Sequence, residues 1–140
     1  MVDKKDEILK RLKDTCCRLQ SSAIDGVGVF AIKNLQKNTN PFKEVRNHPW
    51  HKFDISELKK LDKNILKMIT DFYVADKNEK IWIPECALNG MDISFFVNNS
   101  ESPNLKTIDG GLTFVTLRKI KKGEELTIAY KTYDYKYKKR

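Results

Sequence analysis

Apolar residues recur at helical spacing in two stretches of this chain, and a capping pair predicts a further short helix between them. Three apolar residues share one side of residues 3–13 and predict a short charged helix: Ile8, Leu9 and Leu12. Asp54 followed by Glu57 forms a capping pair that opens a helix through about Leu61. A longer helix is predicted over residues 64–73, with an apolar face made of Ile65, Met68, Ile69 and Phe72. Residues 55–74 are therefore interpreted as a helical insert.

Short apolar runs bounded by turn residues predict strands in the rest of the chain. They cover residues 16–20, 29–32, 81–83, 105–108, 112–117 and 125–129. The link Asp109-Gly110-Gly111 predicts a hairpin, because glycine accepts the positive φ that tight hairpin turns require. Trp82 and the Met68 face are interpreted as packing residues. The pattern predicts one α+β domain, mostly β, with many short strands and no internal repeat.

Composition is typical of a folded globular protein. The 140 residues suffice for one domain with its own core, and 40% of them are hydrophobic. No apolar run approaches a membrane span, and the N-terminus lacks the apolar stretch of a signal peptide. We therefore expect an intracellular protein, in the nucleus or the cytoplasm, without a membrane contact.

Cysteines and histidines give no metal site. Cys16, Cys17 and Cys86 are an odd count with two adjacent members, which provides neither a disulfide framework nor a zinc box. His48 and His51 have H-x-x-H spacing, but two histidines make an incomplete site. We expect no metal and favour a surface or partner-facing role for the two histidines.

Lysine dominates the net charge of +8. Excess cations favour association with nucleic acid or acidic partners but carry no information about the fold. The charge is concentrated in residues 135–140, which we interpret as a solvated, partly frayed terminus.

Two segments carry the chemistry. Residues 94–104 read Ser-Phe-Phe-Val-Asn-Asn-Ser-Glu-Ser-Pro-Asn, so amides follow a strongly apolar stretch, where they need polar partners. Residues 123–130 read Gly-Glu-Glu-Leu-Thr-Ile-Ala-Tyr, a β-rich run that ends on a phenol. Together they resemble the paired signatures of SET-domain lysine methyltransferases, R-F-I-N-H-S-x-x-P-N and G-E-E-L-T-x-x-Y. The turn Gly26-Val27-Gly28 is similar to the opening motif of that family.

Several positions depart from the family pattern. Phe95 stands where the family has arginine, Asn99 where histidine is common, Glu101 where cysteine is frequent, and Lys131 where glycine often follows. The Y-x-G motif that the family places after its first strands is not recognisable near residues 38–44.

The resemblance implies a SET fold, with several short curved sheets and a C-terminal pseudoknot that brings Asn98 and Tyr130 together. It implies a minimal form without cysteine-rich flanks that bind zinc. We accordingly divide the chain into an N-terminal helical extension (1–15), a SET domain (16–135) and a basic tail (136–140).

The resemblance also implies the site residues. Tyr130 would be the catalytic residue. The cofactor S-adenosylmethionine would be held by Asp25, Val27, Gly28, Phe95, Asn98, Asn99 and Tyr130. The channel for the substrate lysine would be lined by Phe96, Tyr133 and Tyr135.

The implied activity is methyl transfer from S-adenosylmethionine to the ε-amine of a lysine in a protein, either a histone tail or another protein. The alternative is a SET-like module that binds cofactor or partners without turnover. A basic domain whose function is to bind nucleic acid ranks third, although a weak contact with nucleic acid or a nucleosome fits the charge. The substrate, the number of methyl groups added and the formation of a homodimer stay open.

Overall fold

The computed structural model describes residues 3–43, 49–111 and 113–138. Its helices are α1 (Lys4–Lys13), α2 (Ile55–Leu58), α3 (Lys63–Phe72) and α4 (Tyr135–Lys138). Its strands are β1 (Cys17–Ser21), β2 (Val27–Ala31), β3 (Trp50–Asp54), β4 (Lys80–Pro84), β5 (Asn98–Asn99), β6 (Leu105–Thr107), β7 (Phe114–Thr116) and β8 (Glu125–Ile128). Three 3-10 turns occupy Ala87–Gly90, Ile93–Phe96 and Tyr130–Thr132.

The larger sheet has the strand order β1-β2-β8-β6-β7, and β5 also pairs with β8. Strand β8 runs antiparallel to β2 and parallel to β5 and β6. Its apolar side chains are almost fully buried: Leu126 and Ile128 are 0% exposed. Strand β8 therefore lies in the middle of the sheet, against segments from both halves of the chain, which agrees with the arrangement that the resemblance implies.

Asn104 holds β8 in this position. Its side-chain oxygen accepts a hydrogen bond from the Thr127 N–H at 2.8 Å, and its side-chain nitrogen donates to the Glu125 carbonyl at 2.9 Å. Asn104 is 3% exposed, and these bonds satisfy polar atoms that burial would otherwise leave unpaired. The last residue of the Pro103-Asn104 segment is thus a structural clamp on the neighbouring strand.

The insert forms a second, smaller unit. Strands β3 and β4 pair antiparallel, with Trp50 opposite Pro84 and Asp54 opposite Lys80. The two helices α2 and α3 connect them along the chain. A second apolar cluster joins these elements and consists of Leu58, Ile69, Tyr73, Ala75, Ile81 and Ile83. The insert therefore has its own small core beside the sheet.

Most predicted elements are confirmed. Helix α1, helix α3 and the β6–β7 hairpin lie where the patterns placed them, and Gly110 and Gly111 have positive φ values of 69° and 106°. The capping box of Asp54 and Glu57 is present, but α2 ends at Leu58 and not near Leu61. The helical insert and the α+β class are correct.

Three expectations differ from the structure. Strand β3 was not predicted. Trp82 and Met68, interpreted as packing residues, are 49% and 40% exposed, although on the same face of α3 Ile69 is buried and Phe72 packs against the core of the smaller unit. The tail was expected to be a solvated, partly frayed terminus, but residues 135–138 form α4, and the Tyr135 N–H donates a hydrogen bond to the Ala75 carbonyl. Residues 139–140 of that tail lie outside the described residues.

Candidate active site

Tyr130 begins a 3-10 turn and is separated from the end of β8 by one residue, Ala129. Its hydroxyl donates a hydrogen bond of 2.6 Å to the Val97 carbonyl, and its backbone N–H donates one of 2.8 Å to the Asn99 side-chain oxygen. The parallel pairing of β5 with β8 brings these partners together, since Asn98 lies opposite Thr127 and Asn99 opposite Ile128. Asn99 thus anchors the backbone of the tyrosine.

Burial holds the Tyr130 phenol in its neutral form. Loss of solvent is the main cause that raises the pKa of Tyr130 to about 12, with smaller contributions from Tyr137 and Asp25. Burial likewise raises the pKa of Tyr133. The two rings meet edge to face, with centroids 6.3 Å apart. Near neutral pH the Tyr130 hydroxyl is therefore both a hydrogen-bond donor and an acceptor.

On one side of Tyr130 lies a polar group that we call the Asn98 cluster: Ser22, Asp25, Val27, Asn98 and Glu125. The Asn98 side-chain nitrogen donates to the Glu125 carboxylate (2.9 Å), the Asp25 carbonyl (3.0 Å) and the Ser22 hydroxyl (3.1 Å), and it lies 3.5 Å from the Val27 carbonyl. The Ser22 hydroxyl donates to Glu125 at 2.8 Å. Acceptors surround the amide nitrogen, so the orientation of the amide is fixed.

The oxygen of the Asn98 amide, unlike the nitrogen, lacks a hydrogen-bond partner in the part of the chain that the structure describes. This oxygen, Oδ1, belongs to a residue that is only 9% exposed. A buried carbonyl without a donor costs about 1–3 kcal/mol. The Asn98 cluster therefore presents one unsatisfied acceptor.

Gly28 makes the Asn98 cluster possible. A Cβ atom at this position would lie 2.3 Å from the Glu125 carboxylate and 3.1 Å from the Asn98 side-chain nitrogen. No side chain larger than hydrogen leaves room for both groups. The glycine that sequence reasoning assigned to a cofactor approach thus also makes space for two polar side chains of the protein.

On the other side of Tyr130 lies a cavity of about 680 Å³ between the insert and the sheet, which we call the aromatic cavity. Its aromatic wall consists of Trp50, Phe72, Tyr73, Trp82, Phe95, Phe114, Tyr130, Tyr133, Tyr135 and Tyr137. Four carboxylates and one ammonium also line it: Asp71, Asp76, Asp109, Asp134 and Lys77. The wall is therefore apolar and acidic within a chain whose net charge is +8.

Helix α4 closes one side of the aromatic cavity. The Tyr135 N–H donates to the Ala75 carbonyl at 2.9 Å, and the Tyr137 ring packs on Tyr130 with centroids 5.2 Å apart. The Lys136 ammonium donates to the Tyr73 carbonyl and lies 3.3 Å from the Asp134 carboxylate. Burial is the main cause that lowers the pKa of Lys136. The C-terminal residues thus tie the insert to the tyrosine.

The structure brings together most residues that the resemblance implied. Asp25, Val27 and Gly28 surround Asn98, while Tyr133 and Tyr135 line the aromatic cavity with Tyr130.

Two adjacent phenylalanines lie in positions that differ from those the resemblance implied. Phe95, expected at the cofactor, lines the aromatic cavity and packs on Tyr73 with ring centroids 5.2 Å apart. Phe96, expected in the lysine channel, packs between Phe72 and the core of the larger sheet and is not among the residues lining the cavity.

Sequence reasoning did not single out several residues of the aromatic cavity, among them Trp50, Tyr73, Asp134 and Tyr137. One signal was available: positions 130, 133 and 137 carry tyrosines at helical spacing, which places three rings on one side of the C-terminal segment. The others come from the insert or from turns, and no local pattern marks them.

Two further observations concern groups outside this site. His51 lies 3.0 Å from the Glu85 carboxylate, and His48 lies outside the described residues. Among the described residues, no three histidine, cysteine or carboxylate side chains are arranged to hold a metal ion. In the same part of the chain, none of the helices is both long and apolar enough to cross a bilayer.

Comparison with known families agrees with this geometry. The family model for the SET domain matches residues 26–131, more than half of the chain. The chain therefore belongs to the SET-domain family, whose members are methyltransferases that use S-adenosylmethionine. No curated protein matches the sequence significantly.

Solved structures share the fold at low identity. A Plasmodium falciparum protein, provisionally described as a histone methyltransferase, is 18% identical with a TM-score of 0.50, over 83% of this chain and 93% of its own. The second similar structure is ctPRC2 in an autoinhibited conformation bound to S-adenosylmethionine. Its sequence is 17% identical to this chain, with a TM-score of 0.58, and the match covers 86% of this chain and 16% of the ctPRC2 chain. At these identities the likeness supports the SET fold alone, and the predicted family and fold are confirmed.

Proposed function

We propose that this protein transfers methyl groups from S-adenosylmethionine to the ε-amine of a lysine in a protein substrate. The observation that carries the proposal is the position of Tyr130. Its backbone is bonded to the strand that bears Asn98, and its ring lines the aromatic cavity. One residue thus adjoins a polar cluster suited to the cofactor and an apolar cavity suited to a lysine side chain.

The Asn98 cluster supports the cofactor assignment. The unsatisfied Oδ1 of Asn98 would accept a hydrogen bond from the ammonium of the cofactor's methionine part, a charge-assisted bond of the stronger kind. Asp25, Val27 and Gly28 would line the same end, and the backbone of Asn99 would reach the adenine. Phe95, in view of its place in the aromatic cavity, is assigned to the lysine side.

The aromatic cavity addresses the protonation of the substrate. A free lysine has a pKa of about 10.4 and is an unreactive ammonium near neutral pH. Burial against aromatic walls disfavours the charged form and lowers that pKa. We assign Tyr133, Tyr135 and Phe95 to the wall of the channel, with Phe96 behind it as support for the insert.

Tyr130 would orient the amine. S-adenosylmethionine, when bound, supplies a methyl group made electrophilic by its sulfonium. The Tyr130 hydroxyl gives its hydrogen to the Val97 carbonyl, so its lone pairs remain free to accept a hydrogen bond from the lysine amine. Because the phenol pKa is about 12, the tyrosine positions the amine and does not act as the base.

A cationic protein segment fits the entrance best. Of the four carboxylates that line the aromatic cavity, Asp71 and Asp134 are paired with Lys67 and Lys136. Asp76 and Asp109 remain beside the single ammonium of Lys77, and this balance favours a positively charged partner. Histone tails have this character, and one of the similar structures is described as a histone methyltransferase. Other lysine-rich proteins satisfy the same requirement.

A methyl-transfer assay tests the proposal. Purified protein is incubated with S-adenosylmethionine labelled in the methyl group and with core histones or mixed cell proteins. We expect label in protein, located on lysine by mass spectrometry, and none when the same substrates have been chemically acetylated on their lysines. If binding of S-adenosylmethionine is measured by calorimetry but no substrate, including the protein's own lysines, is labelled, the chain is a cofactor-binding module without turnover.

A further inference from the structure

Two segments distant in sequence form a narrow paired surface on the larger sheet, which we call the basic ribbon: residues 32–38 and 117–124. The N–H groups of Leu35 and Ile120 each donate to the other's carbonyl, at 2.8 and 2.9 Å. The Asn34 side chain accepts a hydrogen bond from the Lys122 N–H at 2.9 Å. Leu35 and Ile120 are 4% and 0% exposed, so this pairing is anchored in the core.

The basic ribbon is strongly cationic, as residues 135–140 are. Its fifteen residues include six cations and one carboxylate, a net charge of +5 out of +8. The cations are Lys33, Lys37, Arg118, Lys119, Lys121 and Lys122, all exposed. Lys119 and Lys121 flank the buried Ile120, and the alternation of an extended chain therefore turns both side chains outward. The charge is concentrated and fixed by the fold.

Only one of these cations is neutralised within the ribbon. Arg118 pairs with Glu124 at 3.0 Å, and this contact is the main cause that holds the pKa of Glu124 below its usual value. The five lysines have no ion pair among the residues that the structure describes. The neighbouring end of α1 adds Lys13, whose carbonyl lies 3.5 Å from the Lys33 ammonium, and one carboxylate, Asp14.

We propose that the basic ribbon binds the phosphate backbone of a double-stranded nucleic acid without reading its sequence. Lysines supply point charges suited to phosphates. Neither segment contains an aromatic residue on which unpaired bases could stack, which disfavours single strands. Both segments bend or turn on either side of the Leu35–Ile120 bridge, so each spans less than the length of about 23 Å that seven fully extended residues would reach, and along that length a duplex presents roughly a dozen phosphates.

The basic ribbon is separate from the candidate active site. None of its residues lines the aromatic cavity or belongs to the Asn98 cluster. Nucleic acid and a protein substrate can therefore be bound at the same time. Binding should require neither S-adenosylmethionine nor Tyr130, so this inference and the proposed methyl transfer stand or fall independently.

The test is the salt dependence of duplex binding, measured by fluorescence anisotropy with a labelled 20-base-pair DNA of arbitrary sequence. If all five lysines contact phosphates, log Kobs falls with a slope of about −4.5 against log[salt], or about 500-fold between 50 and 200 mM. The double variant Lys119→Gln, Lys121→Gln should reduce the slope to about −2.7, or about 40-fold over the same range.

A matched control separates the ribbon from net charge. The double variant Lys59→Gln, Lys60→Gln removes two exposed lysines from the insert and should leave affinity and slope unchanged. All of these lysines are exposed, so thermal unfolding should match the parent protein. Equal losses in both double variants, no duplex binding at 50 mM salt, or tighter binding of a single strand of equal length would each overturn the proposal.

Discussion

The Asn98 cluster and the aromatic cavity meet at Tyr130 but are built in different ways. The cluster consists of residues from short sequence motifs, joined by hydrogen bonds of defined geometry. The cavity consists of rings from at least five separate segments, held by packing. A motif therefore reports the part of a site that needs specific polar atoms, while a cavity that needs only apolar surface leaves little trace in the sequence.

The largest expected effect comes from the residue that both regions share. Tyr130→Phe removes the hydroxyl and keeps the ring, so the wall of the aromatic cavity is preserved. We expect turnover to fall by about 100-fold or more, as for the loss of one preorganised polar group, with an unchanged Kd for S-adenosylmethionine. Single-turnover methylation and calorimetry measure the two quantities. Tyr137→Phe, which alters an adjacent ring in the same way, should lose far less.

Asn98→Ala tests the Asn98 cluster alone. Removal of a hydrogen bond to a charged group costs about 1.5–3 kcal/mol, so the Kd for S-adenosylmethionine should rise by about 10- to 100-fold. The aromatic cavity is untouched, and the peptide KM at saturating cofactor should stay within about twofold of the parent value. A calorimetric Kd equal to that of the parent protein would exclude Asn98 from the cofactor site.

Lys136→Met tests the aromatic cavity alone. The substitution removes the ammonium that ties Asp134 to the Tyr73 carbonyl, so the C-terminal wall should loosen. We expect the peptide KM to rise about tenfold, equivalent to about 1.4 kcal/mol, with the cofactor Kd unchanged. Lys131→Met removes the same charge from an exposed lysine beside Tyr130 and serves as the control. Equal effects of the two variants would assign the change to charge and not to the wall.

The smallest expected effect is a shift of tyrosine ionisation to higher pH. Burial raises the pKa values of Tyr73, Tyr130 and Tyr133, that of Tyr130 to about 12. The neutral phenol of Tyr130 therefore favours the folded state below pH 10, and this stabilisation is lost as the pH rises from 10 through 12. Absorbance at 295 nm should show these three phenols ionising above the usual range of tyrosine. In Tyr130→Phe the absorbance change above pH 10 should decrease by the contribution of one tyrosine. A decrease confined to the change near pH 10 would contradict the burial of the Tyr130 phenol.

Local patterns predicted the elements whose stability is local. Helices α1 and α3 and the β6–β7 hairpin follow from apolar spacing, caps and glycine turns within about a dozen residues. Strand β3 was missed because its partner β4 lies beyond two intervening helices, and the pairing is visible only in the folded chain. Helix α4 was missed because the residues at 135–140 are all polar or charged, which is typical of a solvated chain end. Only the folded chain shows that the carbonyls of Ala75 and Tyr73 accept hydrogen bonds from Tyr135 and Lys136.

The candidate site shows the same division. The motifs supplied Tyr130, Asn98 and Gly28, whose roles depend on a phenol, an amide and the absence of a side chain. They did not place Phe95 and Phe96, because adjacent rings of equal hydrophobicity are told apart only by the direction in which the chain turns. The carboxylates of the aromatic cavity were also beyond reach, since a net charge of +8 does not indicate where the individual carboxylates lie.

The most direct measurement is a crystal structure with S-adenosylhomocysteine. We expect the ammonium of the ligand to donate a hydrogen bond to Asn98 Oδ1 and its sulfur to face the Tyr130 hydroxyl beside the aromatic cavity. A ligand bound elsewhere, with Asn98 Oδ1 still lacking a donor or with Tyr130 turned away from the sulfur, would contradict the central claim that one tyrosine joins the two regions.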